Sequence, residues 1–180
     1  MSTLANSTRR KCFISYHHAD EEEVEQFIRT FDHNQDILIA RGIGASMPGD
    51  IINSTNSAYI MSQIRARYLH DTTVTIVLIG RDTWGRKFVD WEIAASLRNT
   101  ETSSASGLLA ITLPSAANYS GKRLPDRLDD NVDGNDGYAR WRKYPSSVEL
   151  LAEFIEIAYT ARTEKADLRK NSRPLRQRNA

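Results

Sequence analysis

The chain has 180 residues, 40% of them hydrophobic, which fits one domain with an ordinary buried core and room for loops or a tail. Its 24 basic and 23 acidic residues leave a net charge of +1, so the chain as a whole is no electrostatic binder of nucleic acid. A single cysteine, Cys12, excludes a disulfide framework or a thiolate metal site within the chain, and neither the polar start nor any apolar run suits a signal peptide or a membrane span, so a soluble cytoplasmic protein is expected.

Residues 1–10 read as a disordered lead. Cys12-Phe13-Ile14-Ser15-Tyr16 is an apolar, aromatic run that predicts a buried strand, broken by His17-His18-Ala19-Asp20. Asp20 suits a helix N-cap, with Glu21, Glu22 and Glu23 in the first turn and Val24, Phe27, Ile28 and Phe31 at helical spacing. Asp36–Ala40 predicts a second strand, followed by a loop that Gly42, Gly44, Pro48 and Gly49 punctuate. A helix is expected within Ile52–Tyr68. Thr73–Gly80 is the strongest strand, β-branched and apolar on both faces, as a central parallel strand requires. After a loop, Phe88, Ile93 and Leu97 define a helix, and Leu108–Leu113 a further buried strand.

Asn118–Tyr144 reads as a polar loop. Ser146 or Ser147 can cap a last helix with Val148, Leu151, Phe154, Ile155, Ala158 and Tyr159 inward. Residues 164–180 are predicted to be a mobile basic tail, because Lys165–Ala180 hold six basic residues, one acid and little to bury. The tail has no interleaved aromatics, so a stacking role on nucleic acid is not expected. Strand and helix alternate, which predicts a doubly wound α/β domain over residues 11–163.

In such sheets ligands bind beyond the carboxyl ends of the strands. That rule selects Tyr16–Asp20, Arg41–Asp50 and Gly80–Glu92. These segments hold no glycine-rich phosphate fingerprint, no P-loop and no nucleophile elbow. His17 and His18 lack partners for a metal site, and Ser15 with His17 lacks a placed acid for a triad. Asp129–Gly134 matches part of a calcium loop, but position twelve is Arg140 where a bidentate Glu is required. A phospho-receiver reading fails because the central strand ends in Ile79-Gly80 rather than an aspartate.

Two stretches carry a resemblance. Lys11–Asp20, and Thr73–Gly80 continued by Thr83-Trp84, Arg86-Lys87, Val89 and Trp91-Glu92-Ile93, resemble the opening strand and the glutamate-bearing helix of TIR-like domains, among them the ThsB proteins of the Thoeris anti-phage system. The resemblance implies a flavodoxin-like, TIR-like three-layer fold with a central parallel sheet and helices on both faces. It implies an enzyme that cleaves the nicotinamide–ribose bond of NAD and makes a linear or cyclic ADP-ribose signal. NAD is then a substrate; no cofactor and no metal are implied. Self-association and a separate effector that senses the product also follow from the resemblance, with no membrane or nucleic-acid partner.

Glu92 occupies the family's catalytic position. Ser15, Tyr16, His17, His18, Asp20, Trp84, Arg86 and Trp91 are the implied substrate contacts, with Ser46, Met47 and Asp50 as guesses for the second loop, and Arg81 and Lys87 as further diphosphate partners. Plainer readings stand beside these. A lone helical Glu is more often a solvated charge, and at least one of Trp84 and Trp91 is expected in the core. The competing function is a TIR-like module that binds proteins without catalysis.

Overall fold

The computed structural model describes residues 9–33, 38–41 and 47–180. Five strands, β1 (Arg10–Ser15), β2 (Leu38–Arg41), β3 (Val74–Ile79), β4 (Gly107–Thr112) and β5 (Arg140–Arg142), form one sheet in the order β2-β1-β3-β4-β5. Every pairing is parallel; β3 joins β1 through Ile14↔Ile76 and β4 through Ile76↔Leu109. The order reverses between β1 and β3, so the crevice at their carboxyl ends is the place for a ligand.

The pleat divides the core. Cys12, Ile14, Val74, Ile76, Leu78, Leu109 and Ile111 face helices α1 (Glu21–Ile28) and α6 (Val148–Glu164), meeting Val24, Phe27, Leu151 and Ile155. Val77, Ile79, Leu108 and Ala110 face the other way, toward Val89, Ile93 and Leu97 of α4 (Lys87–Leu97) and Leu128 of α5 (Asp126–Asp129). Phe13 meets Trp91, Ala94 and Ala95 on that side, with Ile51 of α2 (Gly49–Ile52) and Ile60 and Ile64 of α3 (Ser57–Ile64). The result is the expected three-layer α/β sandwich. Ser147 caps α6 by accepting from the Leu150 N–H at 3.1 Å.

Several sequence expectations change. The helix expected within Ile52–Tyr68 is α3, which continues into a π-helical turn at Arg65–Leu69; Asn56 caps it at Tyr59, and the short helix α2 precedes it unexpectedly within the glycine-punctuated loop. The polar loop at 118–144 contains α5 and the edge strand β5. Arg10, placed in the lead, opens β1; residues 1–8 and 42–46, with Ser46, lie outside the described residues.

The basic tail is the largest correction. Residues 170–180 are docked on α4 and the end of α5. Leu175 is buried beside Trp91, and Arg173 makes two bonds to Asp130, at 2.8 and 2.9 Å. Under it lies an ion pair with almost no solvent contact: Arg127 Nε to Asp90 Oδ1 at 2.8 Å. The Arg127 guanidinium also donates to Asn171 Oδ1 and to the Pro174 carbonyl, while Asp90 accepts from the Arg176 N–H at 2.8 Å. The segment is held by buried polar partners rather than by an apolar face, which is why hydrophobicity does not reveal it. Among the described residues no helix is long and apolar enough to cross a membrane.

Candidate active site

A cavity of about 500 Å³ opens at the carboxyl edge of β1, beside the first turns of α4. Tyr16, His17 and His18 reach it from the end of β1, Arg86, Phe88, Val89 and Glu92 from the start of α4, and Met47, Ile52 and Tyr68 from the loop before α2, from α2 and from the turn after α3. Phe13, Ile14, Phe88 and Val89 give it an apolar wall.

Glu92 is the polar group of most consequence there. Burial pushes its carboxyl up from the ordinary value of 4.5 to about 8, and no cation or hydrogen-bond donor among the described residues offsets that burial. Its backbone is fixed from below: Ser96 Oγ donates to the Glu92 carbonyl at 2.8 Å and lies 2.7 Å from Thr75 Oγ1 of β3. The serine has one proton, so Thr75 is the donor of that second bond. Glu92 thus sits on a helical turn tied to the central strand, with its carboxyl uncommitted.

The other groups are set around it. Burial lowers the His17 pKa, and the nearby Arg86 charge lowers it further, so His17 is a neutral imidazole near pH 7. Arg86 Nε is buried with no protein partner among the described residues. His18 is exposed, with Nδ1 at 3.7 Å from Glu21. Burial raises the Tyr68 hydroxyl pKa, and the Glu92 charge adds to the shift.

Against this geometry, a family model described as the Thoeris protein ThsB, TIR-like domain, matches residues 13–118, more than half of the chain. The chain belongs to the ThsB TIR-like family. The match takes in the carboxyl half of β1, all of α4 and all the cavity residues named so far, and it stops before α5 and α6. No curated protein gives a match to the chain.

The TIR-like domain brings together Glu92, Tyr16, His17, His18 and Arg86, with Met47 from the second loop. It places four of the expected contacts elsewhere. Ser15 is wholly buried in the sheet, away from the cavity lining. Asp20 does not cap α1; its carboxylate packs on Gly80 and accepts from Thr83 Oγ1 at 3.4 Å. Trp84 lies with Pro125, Asp126 and Arg176 at a separate small hollow, with the Arg123 guanidinium 4.1 Å from its ring centre. Trp91 is core, only 3% exposed, and its indole N–H donates to the Arg176 carbonyl.

Among the guesses, Asp50 is bound to Tyr59 and Arg67 on the surface, and Arg81 donates to the Ser115 carbonyl. Lys87 lies over Phe88 and Trp91, 5.1 Å from each ring centre, and does not line the cavity. Sequence reasoning missed Tyr68, whose place depends on the π-helical turn, and Asn179, which arrives with the docked segment.

A second cavity, of about 530 Å³, lies between α6 and the β4–β5 edge. It opens at the amino-terminal half of β4, and its Glu156 is already paired with Arg10 at 2.8 Å. Among the described residues no cluster of three His, Cys, Asp or Glu is placed to hold a metal ion.

Proposed function

We propose that this TIR-like domain cleaves the nicotinamide–ribose bond of NAD, with Glu92 as the catalytic carboxylate. The observation that carries the reading is Glu92 itself: an uncommitted, desolvated carboxyl at the switch point of a parallel sheet, in a cavity with one apolar wall. In this reaction the C1′–N bond breaks and its electron pair goes to the nicotinamide ring, which leaves neutral. The leaving group needs no proton, so one carboxylate suffices where most glycosidases use two. Glu92 would stabilise the oxocarbenium-like ribose, and in a low-dielectric site that attraction is stronger than in water.

The proton on Glu92 fits this role. A pyridinium cation beside the carboxyl favours its ionised form, so binding the oxidised dinucleotide would release the proton and create the charge where it is needed. Water attacking C1′ gives ADP-ribose and a proton. A ring nitrogen of the same molecule's adenine gives a cyclic isomer, which proximity in one cavity favours. Either product would serve as the anti-phage signal read by a separate effector protein, and self-association would complete or switch the site.

Nicotinamide release from NAD by the purified protein, alone and under crowding, tests the reading against Glu92→Gln. Turnover is expected to fall by at least about a hundredfold, the scale of a lost electrostatic stabiliser, while the fold is retained. Undiminished release in that variant would remove Glu92 from the chemistry, and a folded protein with no turnover in any assembly state would leave a docking module.

A further inference from the structure

Residues 170–180 do more than cover α4, because Asn179 reaches the cavity that holds Glu92. Its Oδ1 accepts from the Lys87 N–H, the first of α4, at 2.8 Å. Beside it the Ala180 N–H donates to the Gly85 carbonyl at 3.0 Å. These two bonds fix the segment at the entry to α4, while the buried Leu175 and the Asp90–Arg176 bond hold it from behind. Asn179 lies outside the stretch matched by the family model.

With its oxygen bound to the Lys87 N–H, the Asn179 amide has its two NH2 donors left for the cavity. On the same wall Arg86 Nε–H is buried and lacks a protein partner among the described residues. One donor is neutral and one cationic, and neither meets a protein acceptor among the described residues. Glu21, the other carboxylate lining the cavity besides Glu92, belongs to α1 and lies near His18. The α4 wall therefore suits an anionic, acceptor-rich group. Lys87 and Glu92 are a little over one helical turn apart. In a dinucleotide, one sugar ring separates the reacting carbon from the first phosphate.

We propose that Asn179 is a substrate-positioning residue that, with Arg86, holds the diphosphate of the dinucleotide while Glu92 meets the ribose. The assignment rests on the NAD-cleaving reading. It makes the segment 170–180 a wall of the active site and gives the site a requirement for phosphate that Glu92 alone does not impose.

Asn179→Asp keeps an acceptor for the Lys87 N–H and replaces the donors with negative charge; Asn179→Ala removes both. Calorimetric binding of ADP-ribose and of nicotinamide riboside is measured beside steady-state NAD cleavage. ADP-ribose binding and KM for NAD should weaken about tenfold to a hundredfold in Asn179→Asp, the loss of one hydrogen bond to a charged acceptor. The kcat should stay within about threefold, the pattern of lost uniform binding, and riboside binding should not change. Unaltered ADP-ribose binding, equal losses for both ligands, or no ADP-ribose binding by the unmodified protein overturns the proposal. If Glu92→Gln keeps its turnover, the cleavage reading falls and ADP-ribose binding still judges Asn179. If turnover needs Glu92 and Asn179→Asp changes nothing, only the Asn179 assignment falls.

Discussion

The indole N–H of Trp91 donates to the main-chain oxygen of Arg176 at 2.9 Å, across 85 positions of sequence. The next residue in the helix, Glu92, lines the cavity. Two adjacent positions of α4 thus serve different ends, one anchoring a distant segment and one offering a carboxyl to a ligand. Trp91→Phe keeps the ring contact with Phe88 and loses the bond. Denaturant titration should show a loss of about 1 kcal/mol, and kcat and KM for NAD should stay within about twofold, as expected of a residue that touches no substrate. A large rise in KM would return Trp91 to the substrate contacts.

Glu92 makes stability and activity respond to pH in opposite senses. Its folded-state pKa, about 8, lies above the ordinary 4.5. Between those values the folded state keeps a proton that the unfolded chain has lost, so the stability that Glu92 allows falls as pH rises through that window. Glu92→Gln is free of this loss. Its melting temperature should equal that of the unmodified protein near pH 4 and exceed it by several degrees near pH 8.5. Over the same range kcat/KM of the active enzyme should climb about tenfold per pH unit and level off above about 8, because the free enzyme must ionise Glu92. A flat profile in both measurements would contradict the buried acid.

The Asp90–Arg127 pair is the second electrostatic feature with a large expected effect. Both side chains are almost fully buried, and Asp90 also holds the Arg176 N–H. Removing the cation in Arg127→Met should cost about 3–5 kcal/mol, because the carboxylate stays buried without its charge partner. Adding Asp90→Leu should recover part of that loss, so the two changes should be strongly non-additive in urea denaturation. Additive effects would mean that the pair is not coupled.

Gly80 ends the central strand against Asp20. A methyl group there would stand 2.1 Å from Asp20 Oδ2 and 2.5 Å from its Cγ. Gly80→Ala must therefore turn Asp20 away from Thr83, at an expected cost of about 1–3 kcal/mol. Asp20→Ala in the same chain should relieve most of the clash. If Gly80→Ala is harmless alone, Asp20 is not packed as described.

Legibility in the sequence followed the kind of force involved. β3, β4 and α4 could be read because burial leaves an apolar record, and Glu92 stood out through its resemblance to a family position. β5 could not, since Arg140-Trp141-Arg142 is a short, charged edge strand inside a polar stretch. The reversal at Asp20 was equally hidden: an N-cap and a packing partner for Gly80 call for the same residue type, and only the return of β3 beside β1 decides between them. Residues 165–180 looked mobile because their anchors are carbonyls, an asparagine and buried charges, which hydropathy scores as solvent-facing.

The docking of residues 170–180 also bears on how the protein comes into being. Domains emerge from the ribosome amino end first, and β1, β3 and α4 are complete about 80 residues before Asn179 is added. A nascent chain can therefore assemble its sheet and present Glu92 while one side of the cleft is still missing. The finished pocket exists only after that later stretch has emerged and has settled, so a partly made molecule would carry the acid without the full means to hold its substrate.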